Sequence, residues 1–205
     1  RNYNILRLRF QKESGETLRK GLLVKLLVKV SFHEQYGYSL NVLDIDSTYT
    51  LGDLAKRRRE ILLQLEQDGI LHDNQTLPLP RLLRRVAVIS SATAAGYGDF
   101  CHQLEQSVYG FHFDVQLFPA VMQGDTAVRS IVQALGTIAA QEEEWDVVVI
   151  IRGGGATTDL QCFDDYVLAS HCAQFPLPIV AGIGHTRDVS VVDMVVHTSV
   201  KTPTA

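Results

Sequence analysis

The sequence predicts an α/β fold, a parallel sheet with helices on both faces preceded by a smaller β module, and three features of its patterning predict it. After Pro80, short apolar strands at Val86 to Ser90, Val115 to Phe118, Val147 to Ile151 and Ile179 to Ala181 alternate with helix-sized amphipathic segments. Before it, two β-branched and aromatic runs, Leu22 to Val30 and Tyr38 to Ile45, flank the turn-prone His33-Glu34-Gln35-Tyr36-Gly37 and predict a β-hairpin. Between these regions Leu77-Pro78-Leu79-Pro80 predicts an extended linker, because each Pro disfavours helix in the residue before it.

Each element follows from its own pattern. Leu51, Leu54, Ile61, Leu62 and Leu65 line one side of a helix whose other side carries Lys56, Arg57, Arg58 and Arg59, and Gly69 ends it. The basic run is better explained as a solvated helix face than as an anion site. Beyond Pro80, strand, helix and strand at this spacing imply right-handed crossovers and a parallel sheet covered on both sides. The expected division is therefore 1–50 for the β module, 51–81 for helix and linker, and 82–205 for the α/β domain.

A chain of 205 residues, 46% apolar and 20% charged, is long enough to bury one substantial core or two small ones. No apolar run reaches the roughly eighteen residues of a spanning helix, and Arg1-Asn2-Tyr3 does not open a signal segment, so a cytoplasmic protein with no membrane partner is expected. Cys101, Cys162 and Cys172 are odd in number and lack metal-ligand spacing, which fits reduced thiols buried as small hydrophobes. The net charge of −4 is unevenly spread. Residues 1–30 hold eight Lys or Arg against Glu13 and Glu16, a local +6, leaving −10 for the rest. This asymmetry fits an anion-binding module joined to a different domain, and equally a solvated strand surface.

In open parallel sheets ligands bind beyond the carboxyl ends of the strands, and three motifs fall there. Arg152-Gly153-Gly154-Gly155 follows a buried strand and precedes a helix, with Asp159 close behind. Glycines admit a phosphate to the backbone, helix N–H groups receive it, and an Arg adds a charged fork. The pattern is neither a Walker loop nor a dinucleotide fingerprint. Three glycines also suit a tight strand-to-helix turn, but the Arg at the end of a buried strand favours a phosphate. Gly184-His185-Thr186-Arg187-Asp188 supplies a group that titrates near neutrality and a carboxylate to orient it. Asp188 equally suits the N-cap of the next helix, and Asp193 a solvated position on it. Ser90-Ser91-Ala92-Thr93-Ala94-Ala95-Gly96 ends the first strand of the sheet, with Asp99 about one helical turn further on, where a cap or surface charge is the commoner role. Together these segments bring Asp99, Arg152, His185 and Asp188 to one edge.

The ordered set Arg84-Arg85-Val86-Ala87-Val88-Ile89-Ser90-Ser91, Val121-Met122-Gln123-Gly124-Asp125, Arg152-Gly153-Gly154-Gly155 with Asp159-Leu160 and Phe163-Asp164-Asp165, Gly184-His185 with Asp188, and Thr202-Pro203-Thr204-Ala205 resembles the exonuclease VII large-subunit family. The similarity runs from about Gly21 to the last residue. It implies that residues 1–50 are a partial OB-type nucleic-acid-binding domain and that 82–205 form an exonuclease domain. It further implies degradation of single-stranded DNA to short products with 5′-phosphates. The expected partner is the small subunit, in multiple copies, bound through a C-terminal helical region absent here. Matching motif positions makes Asp99, Arg152, His185 and Asp188 catalytic, with Gly153, Gly154, Gly155 and Asp159 on the phosphate or substrate. Two departures stand out. Thr186 replaces an acidic residue, and Ala156-Thr157-Thr158-Asp159-Leu160-Gln161 replaces Ser-Leu-Glu-Asp-Leu-Trp, so contacts near Gln161 differ.

The resemblance implies no metal requirement, and a His with an Arg clamp suits that, while Asp99 and Asp188 lying close together would hold a hard cation such as Mg²⁺. Two rival readings remain open. One is a non-catalytic single-stranded DNA-binding protein in which the α/β domain only scaffolds. The other is a phosphate-binding α/β enzyme acting on a small molecule, which rests on the glycine loop alone.

Overall fold

The structure, a computed structural model, describes residues 2–14, 17–18, 22–106, 110–152, 160–183 and 189–201. It divides into two compact units, Arg1–Arg59 and Glu60–Ala205. The first holds helix α1 (Asn2–Ser14), the antiparallel hairpin β1 (Lys25–His33) and β2 (Gly37–Asp46), and the first part of helix α2 (Ser47–Gln67). The hairpin lies where its patterning predicts. Helix α1 does not match the strand surface expected of the basic N-terminal stretch. Leu6 and Phe10, one helical turn apart, are buried with Ile45 of β2, while Tyr3, Ile5 and Leu8 stay exposed. That incomplete apolar stripe gives a weak helical period, which is why the pattern did not announce the helix. The positive charge is also partly answered locally. Arg9 pairs with Glu13 and Asp44, and Lys25 lies 3.6 Å from Asp46.

Helix α2 covers and extends the expected 51–65 segment, and Gly69 ends it as expected. With φ at +74°, Gly69 occupies a conformation that a side chain would strain. Its N–H donates to the Glu66 carbonyl (3.0 Å) and that of Ile70 to Leu65 (3.1 Å), the paired bonds that close a helix C-terminus. Ile70 then packs against the same apolar cluster as Leu65.

The second unit is built on five parallel strands, β3 (Arg85–Ser90), β4 (Asp114–Pro119), β5 (Val147–Ile151), β6 (Ile179–Gly182) and β7 (Thr198–Ser199). Their spatial order is β4-β3-β5-β6-β7. Four of the five match the sequence expectation. The two-residue edge strand β7 carries no apolar run and escapes it. Helices α4 (Ala127–Ala139), α5 (Tyr166–Ala173) and α6 (Val191–Val195) bury their apolar residues with Ala87, Ile89, Val148, Ile150, Ile179 and Ala181 on one face. Helix α3 (Ala95–Glu105) contributes Tyr97 and Phe100 to the other, against Val86, Val88, Val147, Val149 and Ile151. All five β5 residues are buried, as a strand covered on both sides requires. Cys162 and Cys172 are buried as expected, and burial pushes the Cys172 thiol up to about 12, whereas Cys101 is only half-buried.

The linker is pinned by a residue that the sequence pattern does not single out. Asn74 is fully buried, and its Nδ2 donates to the carbonyls of Phe175 (3.1 Å) and Leu177 (2.9 Å). Its Oδ1 accepts from the N–H groups of Ile179 (3.0 Å) and His197 (2.9 Å). One amide thereby satisfies four backbone groups where β6 and the lead into β7 begin. Removing it leaves several buried groups without partners, at about 1–3 kcal/mol each. Asn74→Ala is therefore expected to lower the unfolding free energy of the full-length protein by roughly 3–5 kcal/mol in urea titration. A loss below roughly 1 kcal/mol would contradict this clamp.

Candidate active site at the carboxyl edge of the sheet

The strand order makes β3 and β5 the neighbours from which the chain departs in opposite directions. β3 leads through α3 outward to β4, and β5 leads through α5 towards β6 and β7. Such a switch point opens a crevice at the carboxyl edge. Ser90, fully buried at the end of β3, donates its hydroxyl to the Ile151 carbonyl at 2.8 Å and closes the floor of that crevice. Beyond it the pairings separate. Ala120 N–H donates to Ser90 O at 2.9 Å on the β4 side, and Arg152 N–H donates to Gly182 O at 3.3 Å on the β6 side.

Arg152, half-buried, is the first residue past β5 and stands directly beyond that floor. Asp99 is exposed in α3, roughly 6 Å of helix from the end that begins at the edge. Gly153, Gly154, Gly155 and Asp159, and likewise His185 and Asp188, lie outside the described residues. The structure does place the ends of the two segments that carry them. At their near ends the Arg152–Gly182 bond joins them. At their far ends Asp164 Oδ1 accepts the Val191 N–H at 2.9 Å. The described stretches that flank the two segments are therefore joined at two points, before them and after them.

The flanking elements keep these stems in place. Asp165 caps α5 by accepting the Leu168 N–H at 3.1 Å. The helix after the His segment is capped by Ser190, which replaces the expectation for Asp188. Asp193, expected in solvent, is buried. Its Oδ2 accepts from Ser190 N–H (2.9 Å) and the Ser190 hydroxyl (2.7 Å), and its Oδ1 accepts from the Ser199 hydroxyl on β7 (2.7 Å). A carboxylate three residues into the helix closes a reciprocal capping box, and the Ser190-to-Asp193 spacing was the available signal for it. On the β4 side, the loop 120–126 is held by Val121 N–H donating to Ser130 Oγ (2.9 Å) and by the Cys162 thiol directed at the Met122 carbonyl (3.7 Å). Gly124, at φ +81°, turns this loop into α4.

A charged pair lies at the opposite edge. Burial pushes the Asp146 carboxyl up, but the Arg85 side chain and the Arg85 and Arg84 N–H groups outweigh it and hold the group at about 2. Arg85 donates from Nε and Nη2 to Asp146 Oδ1, the Arg84 and Arg85 N–H groups donate to Oδ2, and Arg85 also donates to Glu143 O. This pair fixes the start of β3 against that of β5 and has a structural role. Among the described residues no group of three or more His, Cys, Asp or Glu is placed to hold a metal ion, and no helix is long and apolar enough to cross a membrane.

Strand order and helix placement together define a doubly wound α/β protein with its switch point between β3 and β5. Residues 70–205 match the family model described as exonuclease VII, large subunit. The chain is 41% identical over 192 residues to the exodeoxyribonuclease 7 large subunit of Deinococcus radiodurans, covering 93% of this chain and 46% of that protein. It is 38% identical over 154 residues to that of a Cyanothece species, covering 75% and 36%. With that of Lactobacillus helveticus it shares 34% over 155 residues, covering 76% and 34%. The chain belongs to the exonuclease VII large-subunit family, and it spans less than half the length of these relatives.

The stem bond gives a direct test. Asp164→Ala in the full-length protein is expected to speed amide exchange in residues 153–159 and 184–190 at least tenfold, with Asp164→Asn restoring much of the protection through its remaining carbonyl oxygen. Equal exchange in wild type and Asp164→Ala would rule out the stem.

Proposed function

We propose that this chain is the nucleolytic part of an exodeoxyribonuclease VII large subunit. The enzyme would hydrolyse phosphodiester bonds of single-stranded DNA to short products with 5′-phosphates, in the cytoplasm, together with several copies of a small subunit. The observation that carries this reading is the paired stem of the Arg152 and His185 segments beside the β3/β5 switch point. In that arrangement Arg152 and the N–H groups of Gly153, Gly154 and Gly155 clamp the scissile phosphate and stabilise the charge that builds on it. Asp159 contributes to the substrate side of the same loop. Water attacks phosphorus, the bond to the 3′-oxygen breaks, and His185 moves the proton, as base towards the water or as acid towards the leaving oxygen. Asp99 or Asp188 orients the imidazole. No metal is required in this scheme. The alternative, in which Asp99 and Asp188 hold Mg²⁺, uses the same edge.

Residues 1–50 would be the last part of an OB-type domain, with 51–81 as helix and linker and 82–205 as the catalytic domain. Supporting a nucleic-acid role, Phe32 and Tyr38 form a cross-strand pair with ring centroids 5.1 Å apart, and they are 64% and 79% exposed. Exposed aromatic faces on a sheet carrying Lys25 and Lys29 suit the stacking of unpaired bases.

The test is degradation of end-labelled single-stranded DNA in EDTA by the full-length subunit with its small subunit. Wild type is expected to degrade it, and Arg152→Ala and His185→Ala to lose at least 100-fold in rate, the scale of one removed charge-stabilising or proton-transfer group. Wild-type activity that appears only on adding Mg²⁺ would overturn the metal-free scheme, and full activity in both variants would overturn the site.

A further inference from the structure

We propose that Ser91 is a further phosphate-binding residue of this edge, donating its hydroxyl proton to a non-bridging oxygen of the phosphate that Arg152 holds. This role rests on the reading in which Arg152 binds the scissile phosphate.

Register places the two residues side by side. β3 and β5 pair in parallel up to Ile89 opposite Ile150, and the Ser90 hydroxyl on the Ile151 carbonyl (2.8 Å) ties the strands one residue further. Ser91 and Arg152, the first residues past the two strands, are therefore level and about 4.8 Å apart, one strand spacing. Alternation along a strand puts them on one face as well. Ala87 and Ile89 of β3 and Val148 and Ile150 of β5 all belong to the cluster shared with α4, and each series continues two residues on to Ser91 and Arg152. Both residues are half-buried. A phosphate on the guanidinium fork is thus within reach of a hydroxyl on the neighbouring strand end.

The loop leaves that hydroxyl a proton to give. A serine oxygen has two acceptor sites and one proton. Ser91 Oγ accepts the Thr93 N–H at 3.4 Å and lies 3.2 Å from Thr93 Oγ1, a pair in which either oxygen can donate. With Thr93 donating through both groups, the Ser91 proton is left for an oxygen outside the loop. The loop itself is pinned by the Ala94 N–H on the Ser91 carbonyl (3.0 Å), so little ordering is needed when a strand arrives. A hydroxyl donating to an anion forms a stronger bond than one between neutral groups, and it strengthens further as charge builds on the phosphate oxygens. Its contribution therefore falls on the chemical step rather than on strand binding.

The experiment measures single-turnover degradation and binding of single-stranded DNA by the full-length subunit assembled with its small subunit. Ser91→Ala is expected to lose roughly 10- to 100-fold in rate, the worth of one bond to a charged group, while Ser91→Thr, which keeps a hydroxyl, recovers most of it. Strand affinity is expected to stay within about threefold of wild type in both. Strands of stereodefined phosphorothioate linkages separate a phosphate contact from a role confined to the turn, because sulfur is a poor hydrogen-bond acceptor. The Ser91→Ala loss is expected to shrink at least about threefold for one configuration and to persist for the other. Equal losses on both, wild-type rates in Ser91→Ala, or a Ser91→Thr variant as slow as Ser91→Ala would overturn the proposal. Arg152→Ala, measured alongside, separates the two readings. If it is inactive while Ser91→Ala is fully active, the Ser91 role alone fails, and if Arg152→Ala is itself fully active, the site fails with it.

Discussion

The five strands of the larger unit all run in one direction, so every strand ends at the same edge, and the placement of the site follows from that constraint. A parallel ladder needs long crossovers, and those crossovers start at the carboxyl edge. The strands meet this requirement through sequence. β5 is apolar at all five positions because both its faces are covered, and β3 is buried from Val86 to Ser90 for the same reason. Where β3 and β5 part, the Ser90 hydroxyl satisfies the Ile151 carbonyl and leaves Arg152 as the first residue able to face solvent. In the proposed scheme an anion at this edge meets the Arg152 guanidinium, whose planar fork suits a phosphate.

Bringing two segments to one edge requires their bases to be fixed. Here the Arg152–Gly182 and Asp164–Val191 bonds fix the bases, Asp193 and Ser190 lock the element that follows, and Asn74 ties the start of β6 to the linker. The Tyr166 hydroxyl adds a bond to Asp68 at the end of α2 (2.5 Å). Asn74 acts at the amino ends of β6 and β7, the others nearer the carboxyl edge, and none of these side chains belongs to the proposed chemistry.

What the sequence made legible was periodic or motif-like. Strands β3 to β6 are short apolar runs, the hairpin has a turn between β-branched runs, and Gly69 marks a helix end with the conformation it was expected to adopt. The same reasoning missed features whose signal is a single polar residue or an incomplete stripe. Helix α1 buries only Leu6 and Phe10, β7 is two residues long, and Asn74 looks like any linker Asn until its four partners are seen. Asp193 was assigned to solvent because a carboxylate on a short helix is usually there, and its burial is explained by three donors that converge on it only after folding. Within the site, the positions of Arg152 and Asp99 follow from strand and helix ends, which periodicity locates well.

The central claim is that the scissile phosphate sits at the carboxyl edge between the ends of β3 and β5. The most direct measurement is a structure of the full-length subunit, with its small subunit, bound to a hydrolysis-resistant phosphorothioate strand. The account predicts a backbone phosphate within hydrogen-bond distance of the Arg152 guanidinium, above the Ser90–Ile151 floor. A strand whose phosphates pass the Arg85–Asp146 edge, or touch only the hairpin unit, would contradict it.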